Sequence, residues 1–451
     1  MESQMTEKQF YKAFAVMTVT VALQNLIVYG VNLADSVMMG AYSELALSGV
    51  GICNNIQFFL LMAVSGIYNG TTVIASRYWG KRDIDKVNSI SAVSNILGLA
   101  FSLLTFALCA AMPVKMISLF TDKSDVAAEA VKYLVIIKYS YILYGVTQIM
   151  LAILRSVEAV KIGFYVSLSS FGINILLNYI FIYGKFGAPE MGVRGAALAT
   201  LISRGIEFIV VAFYLLFVDK RLNMTFVKLF KTDSAMFRQY FKTGLPLLAS
   251  SGLWGLAMSI QGAIIGRFDQ NAIAANSIAT TLFQIATVVT YASSSAACVL
   301  IAKSIGEKSP LETIKKRAVR LQLIFIGIGI FSSLMLILVK TVMIGFYDAS
   351  AETVRYTNQF TAVLAVSVIG TSYEAASLCG IVSGGGETDF VLKNDIIFMW
   401  LIVLPVSALS AFVFKFPVVV TFACLKSDQV LKCVVAFFKV RSFNWIKGLK
   451  E

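Results

Sequence analysis

Apolar runs of about 20 residues recur along the whole 451-residue chain, each closed by a short polar stretch. A helix needs roughly 20 apolar residues to cross about 30 Å of hydrocarbon, and hydrocarbon offers the backbone no other hydrogen-bond partner, so the pattern predicts membrane-crossing helices. Twelve spans are predicted, at about 10–36, 46–76, 88–112, 128–152, 160–184, 192–217, 240–266, 272–302, 318–340, 354–380, 390–412 and 416–438. No stretch between them is polar enough for a separate soluble domain. The expected fold is therefore an all-α membrane protein with twelve transmembrane helices. A basic loop near the middle, residues 219–242, separates residues 1–218 from residues 243–451, and each part carries six spans.

The two parts match in sequence. Gly40 pairs with Gly266, and at the same separation of 226 residues Ala46 meets Ala272, Ile52 meets Ile278, Val73 meets Val299 and Gly80 meets Gly306. Arg77 and Arg82 meet Lys303 and Lys308, and Phe120 and Asp122 meet Phe346 and Asp348. Apolar identities recur by chance; charge-glycine-charge pairs do so far less often. Six spans per repeat give both parts the same orientation. The expectation is two six-helix bundles related by a pseudo-two-fold axis along the membrane normal, an architecture suited to an alternating-access carrier.

Composition agrees with the pattern: 58% of residues are hydrophobic, 14% are charged, and the mean hydropathy is +0.79. The net charge of +13 does not point to nucleic acid, because no basic segment is long enough to form a binding face. Roughly 26 of the 38 Lys and Arg fall on the N-terminal side of the spans and about 8 on the other, so both termini are expected in the cytoplasm of a cell (inner) membrane protein. Glu2, Glu7 and a first run too long for a signal peptide argue against a cleaved leader. The chain has no histidine, and its six cysteines form no CxxC pair. No hydrolase, zinc-protease or nucleotide-binding motif is present, so no enzyme and no cofactor are expected.

One carboxylate stands out. Asp35 follows more than twenty mostly apolar residues, and Asn32, Tyr29 or Val28, and Asn25 share its helical face. A charge at membrane depth costs roughly 2.5–3.5 kcal/mol on insertion scales, so it normally faces protein or water. Two readings stay open: an ion or proton site, or a carboxylate close enough to the helix end to reach headgroup water. Other intramembrane charges are Arg204 and Glu207, three apart and able to pair, together with Lys138 and Glu374. Glu374 is a candidate for attracting a cationic substrate or for pairing with a lysine of another span. Lys426 and Asp428 in the last span are read as interfacial. No single aromatic is assigned to a ligand.

Several motifs in order resemble the MATE (multidrug and toxic compound extrusion) family, bacterial type. They are Asp35-Ser-Val-Met-Met-Gly40, Gly172-Ile-Asn-Ile-Leu-Leu-Asn-Tyr-Ile-Phe-Ile, Met191-Gly-Val-Arg-Gly-Ala-Ala-Leu-Ala-Thr-Leu-Ile-Ser203 and Ser383-Gly-Gly-Gly-Glu-Thr388. Asp395, Trp400 and Pro405 in the eleventh span fit as well. The resemblance implies export of amphiphilic, often cationic organic compounds, driven by inward H⁺ or Na⁺, with no obligatory protein partner. It also implies a cation site on Asp35, Asn174, Asn178 and Thr200, with Asn178 standing where relatives have an aspartate. Interhelical hydrogen bonding is the alternative role for the two asparagines, and close helix packing for Thr200. Asn25, Asn32, Arg204, Glu207, Gln261 (which pairs with Asp35 across the repeat) and Glu374 are candidates for the substrate path. Other readings of the chain are a flippase for lipid-linked precursors and a non-transporting membrane sensor or scaffold.

Overall fold

A computed structural model describes residues 5–345 and 350–447. Glu2, Phe346 and Asp348, invoked above, lie outside the described residues. Every regular element among those described is helical. In chain order they are α1 (Glu7–Tyr42), α2 (Glu44–Gly80), α3 (Ile84–Ala111), α4 (Pro113–Ser118), α5 (Ser124–Ser156), α6 (Lys161–Tyr183), α7 (Val193–Val218), α8 (Ser234–Ile265), α9 (Gln270–Ala286), α10 (Val288–Gly306), α11 (Leu311–Gly345), α12 (Ala351–Val382), α13 (Thr388–Val413), α14 (Val418–Leu425) and α15 (Asp428–Ser442).

Eleven of these helices are long and apolar enough to cross a membrane. Two of the twelve predicted spans are interrupted. The eighth is broken into α9 and α10 at Thr287, and the twelfth into α14 and α15 at Lys426–Ser427. At each break a side-chain hydroxyl bonds the preceding turn, as hydroxyls also do inside unbroken helices of this chain. The Thr287 hydroxyl donates to the Phe283 carbonyl at 2.7 Å, and the Ser427 hydroxyl donates to the Cys424 carbonyl at 2.7 Å. Such side chains compete with the backbone ladder and favour helix ends.

The chain forms two compact units. One comprises Met1–Ala22, Ser76–Arg82 and Ala249–Glu451; the other comprises Leu23–Ala75 and Asp83–Leu248. Helices α1 and α2 therefore contribute to both. In the second unit the segment after α7 is tied to α3: Asn88 Nδ2 donates to the Leu222 carbonyl (3.0 Å) and Asn95 Nδ2 to the Leu229 carbonyl (3.4 Å). Leu222, Met224 and Leu229 are buried there. Residues 219–242 are thus packed into this unit through the first half of their length.

In the first unit the repeat-related glycines meet each other. A Cβ added to Gly306 would lie 2.1 Å from the Arg77 carbonyl oxygen and 3.1 Å from Gly80 Cα. One added to Gly80 would lie 2.2 Å from the Lys303 carbonyl oxygen. Only glycine allows two backbones this close, so the charge-glycine-charge motif reflects a helix crossing. Gly306→Ala is expected to cost about 1–3 kcal/mol by forcing the crossing apart, read as a fall in melting temperature of the purified protein. An unchanged melting temperature would mean that the crossing yields freely.

The same unit holds a buried polar cluster. Lys432 Nζ lies 2.9 Å from Asp395 and 3.6 Å from Asp428. The Ser250 hydroxyl donates to the other Asp395 oxygen, and Gln429 Nε2 donates to Asp428 at 2.8 Å. Glu374, also buried, feels the charges of Lys432, Asp428 and Asp395. At the start of the chain Glu7 binds Arg317 (3.0 Å) and Arg320 (2.9 Å).

Candidate functional site: a polar cavity around Asp35

Asp35 is not directed at headgroup water alone. Asn178 Nδ2 donates to its Oδ1 at 2.5 Å and also to Asn174 Oδ1 at 3.2 Å. Asn174 Nδ2 in turn points at Thr200 Oγ1, at 3.5 Å. A carboxylate from α1, two amides from α6 and a hydroxyl from α7 thus form one continuous relay. Local features set this up. Asn174 and Asn178 are one turn apart, so both face α1 and α7. The Tyr183 hydroxyl donates to the Met38 carbonyl at 2.8 Å, which holds the end of α6 against α1. Gly195 lets α7 approach α6, since a Cβ there would lie 2.5 Å from the Phe181 carbonyl oxygen. The small-residue run of α7 therefore serves packing, and that packing delivers Thr200 to Asn174.

The hydrogen bonds leave one oxygen over. Both N–H groups of Asn178 are spent on Asp35 and Asn174, which fixes the orientation of its amide. Its Oδ1 is buried and has no hydrogen-bond partner. A buried acceptor without a donor is costly, of order 1–3 kcal/mol, unless a cation or water answers it.

Asp35, Asn174 and Thr200 border a cavity of about 50 Å³. A water needs roughly 10–15 Å³ of such space, whereas pockets for drug-sized ligands run to roughly 300–1,000 Å³. The cavity has room for a few waters or a partly hydrated ion and not for an organic substrate. Most of the residues that line it are polar. Asn32, Asp35, Asn174, Thr200, Arg204 and Glu207 of the sequence-derived candidates line it. Arg204 and Glu207 pair at 2.9 Å on α7 and add no net charge, so Asp35 leaves the wall with one net negative charge. Asn178 reaches the cavity through Asp35 and Asn174. Asn25 does not border it.

Gln261 and Glu374 belong to the other unit. Gln261 accepts from Lys426 Nζ at 3.0 Å, and Glu374 lies in the lysine–carboxylate cluster described above. Lys426 and Asp428, read from sequence as interfacial, are half-buried and buried within this unit.

Sequence reasoning missed Asn54 and Gln57 on α2, Tyr133 on α5, Ser167 and Ser170 on α6 and Ser203 on α7, all of which line the cavity. A signal for several of them was there. Ser167, Ser170, Asn174 and Asn178 recur at steps of three, four and four, and Thr200, Ser203, Arg204 and Glu207 repeat the same face on α7. Each is a polar stripe on an otherwise apolar helix.

Known proteins share the family and the fold. The profile of the MatE family matches residues 21–180 and 246–409. The uncharacterized transporter YisQ of Bacillus subtilis is 24% identical over 419 residues, covering 92% of this chain and 91% of its own. The probable multidrug resistance protein NorM of Burkholderia pseudomallei is 25% identical over 356 residues, covering 77% and 73%. A solved outward-facing multidrug resistance MATE transporter superposes with a TM-score of 0.85 at 19% identity, over 98% of each chain. With both halves of the chain matched by one family profile, and the fold shared end to end, this protein belongs to the MatE family of multi-pass membrane transporters.

Proposed function

We propose that this protein is a secondary active multidrug exporter, moving amphiphilic and often cationic organic compounds outward against an inward flow of H⁺ or Na⁺. Family membership supports export of drugs. The ion-coupling reading is carried by one observation, a buried, unanswered Asn178 Oδ1 on the amide bonded to Asp35, whose carboxylate lines a cavity of ionic size. A cation at this depth needs several hard oxygens and one negative charge to cancel its own. Asp35 Oδ2, Asn178 Oδ1, Thr200 Oγ1 and water would supply them for Na⁺; for H⁺, protonation of Asp35 alone suffices. Both termini are proposed to be cytoplasmic, on the distribution of Lys and Arg. Only one cationic side chain, Arg204, lines the cavity among the described residues, and Glu207 neutralises it. That wall does not resemble a basic receptor for the phosphates of a lipid-linked precursor.

The deciding experiment is drug efflux from proteoliposomes under a Na⁺ gradient and a pH gradient applied separately. Efflux that follows neither gradient would remove ion coupling. Asn178→Asp sharpens the choice of ion. A second carboxylate beside Asp35 should strengthen Na⁺ binding, or make the pair hold a proton between them, because two such like charges do not ionise together freely. Radioactive Na⁺ binding to the purified variant is expected to rise above the parent's. Equal Na⁺ binding in both, with no extra proton taken up by the variant, would detach Asn178 from the site.

A further inference from the structure

Carried on by the separation that relates the two halves, the residues of the Asp35 site fall on residues of the first unit with a different charge. Moving on by the 226 residues that relate the two halves, Asp35 meets Gln261, Asn174 meets Trp400 and Thr200 meets Lys426. An acid is replaced by an amide, an amide by an indole N–H donor, and a hydroxyl by an ammonium. Asn178 meets Leu404, so its acceptor oxygen has no counterpart. The fold brings two of these mates into contact: Lys426 Nζ donates to Gln261 Oε1 at 3.0 Å.

Among the described residues Lys426 has no carboxylate within ion-pairing distance. The nearest in sequence, Asp428, is engaged by Lys432 and Gln429. The ammonium lies 5.7 Å from the ring centres of both Phe283 and Phe422. Phe422 is buried and stacked on Phe360 at 4.2 Å, whereas Phe283 is only half-buried and has a face to offer. Trp400 packs against the same core as Phe422, and its buried indole N–H has no acceptor. Lys426 also stands at the interruption between α14 and α15. Broken helices at membrane depth persist where they are buried in protein or border a cavity, and they recur at the binding sites of carriers.

A lysine retains two further N–H donors after serving Gln261, and the indole N–H donates only. Groups that only donate are completed by one that only accepts. We propose that the Lys426–Gln261 pair is a subsite for the carboxylate of an aromatic amphiphile, with the ring of the substrate lying against Phe283. Substrates of this chain then include aromatic acids and zwitterions as well as cations. The physiological meaning of the subsite rests on the export reading above; its existence does not.

Binding separates the two. Fluorescence anisotropy of 5-carboxyfluorescein (an aromatic carboxylate) and rhodamine 6G (a cation on the same ring system) is measured on full-length protein purified in detergent, with no ion gradient. The affinity ratio of carboxyfluorescein to rhodamine 6G is expected to fall at least tenfold in Lys426→Gln and to stay within about twofold of the parent in Lys426→Arg. Size-exclusion profiles show whether each variant is folded, and Lys426→Arg with Phe283→Leu serves if Lys426→Gln is not; there the ratio is expected to fall through loss of the ring. An unchanged ratio in folded Lys426→Gln, or in the Phe283→Leu background, overturns the subsite. Failed efflux with intact carboxylate binding would overturn the export reading and leave the subsite standing.

Discussion

Asp35→Asn is expected to abolish ion-driven drug efflux while leaving the protein folded. The asparagine keeps an oxygen for Asn178 Nδ2, so the relay from α1 to α6 survives. What it loses is the negative charge. With Arg204 and Glu207 cancelling each other, the cavity wall becomes neutral and no longer favours a cation. On the proposed mechanism, an ion bound in the parent would cancel the Asp35 charge and change which packing of α1 against α6 and α7 is preferred. A ligand shifts such an equilibrium only through its different affinity for the two states, and typical couplings between sites are worth roughly 5–150-fold. The variant should therefore lose the whole stimulation by a Na⁺ or pH gradient in proteoliposomes and fall to its unstimulated leak. Drug binding without a gradient should change far less. Full gradient-driven efflux by Asp35→Asn would end the proposed mechanism, whatever the fold.

The second large effect concerns Lys432, in the unit that holds the C-terminal repeat. Its ammonium is almost fully buried and sits between Asp395 and Asp428, and the Asp428 side chain is 1% exposed. Asp428 Oδ1 already lacks a hydrogen-bond partner. Lys432→Met keeps the length of the side chain and removes the cation that pairs with Asp395 and Asp428 and acts on Glu374. Breaking a buried ion pair from one side costs roughly 3–5 kcal/mol, because the charge left behind has neither water nor partner. The purified variant is expected to melt well below the parent in detergent. Lys432→Met combined with Asp395→Asn should recover part of the loss, since one of the orphaned charges is then gone. A single variant as stable as the parent would mean that the acids already carry protons and that Lys432 neutralises nothing.

Length, hydropathy and the glycine–charge repeats were legible in the residue order, because a bilayer demands long apolar runs and a duplication leaves marks at one constant separation. Asp35 was visible for a related reason: a carboxylate in oil is costly wherever it ends up. The order of residues could not say that Thr200 meets Asn174, since that contact depends on Gly195 letting α7 lie against α6. Nor could it show that the last predicted span breaks at Lys426, with Lys426 half-buried and Asp428 buried. Hydropathy records how apolar each residue is along one helix. Which polar group completes another depends on distances of about 3 Å between helices remote in sequence, and only their packing sets those.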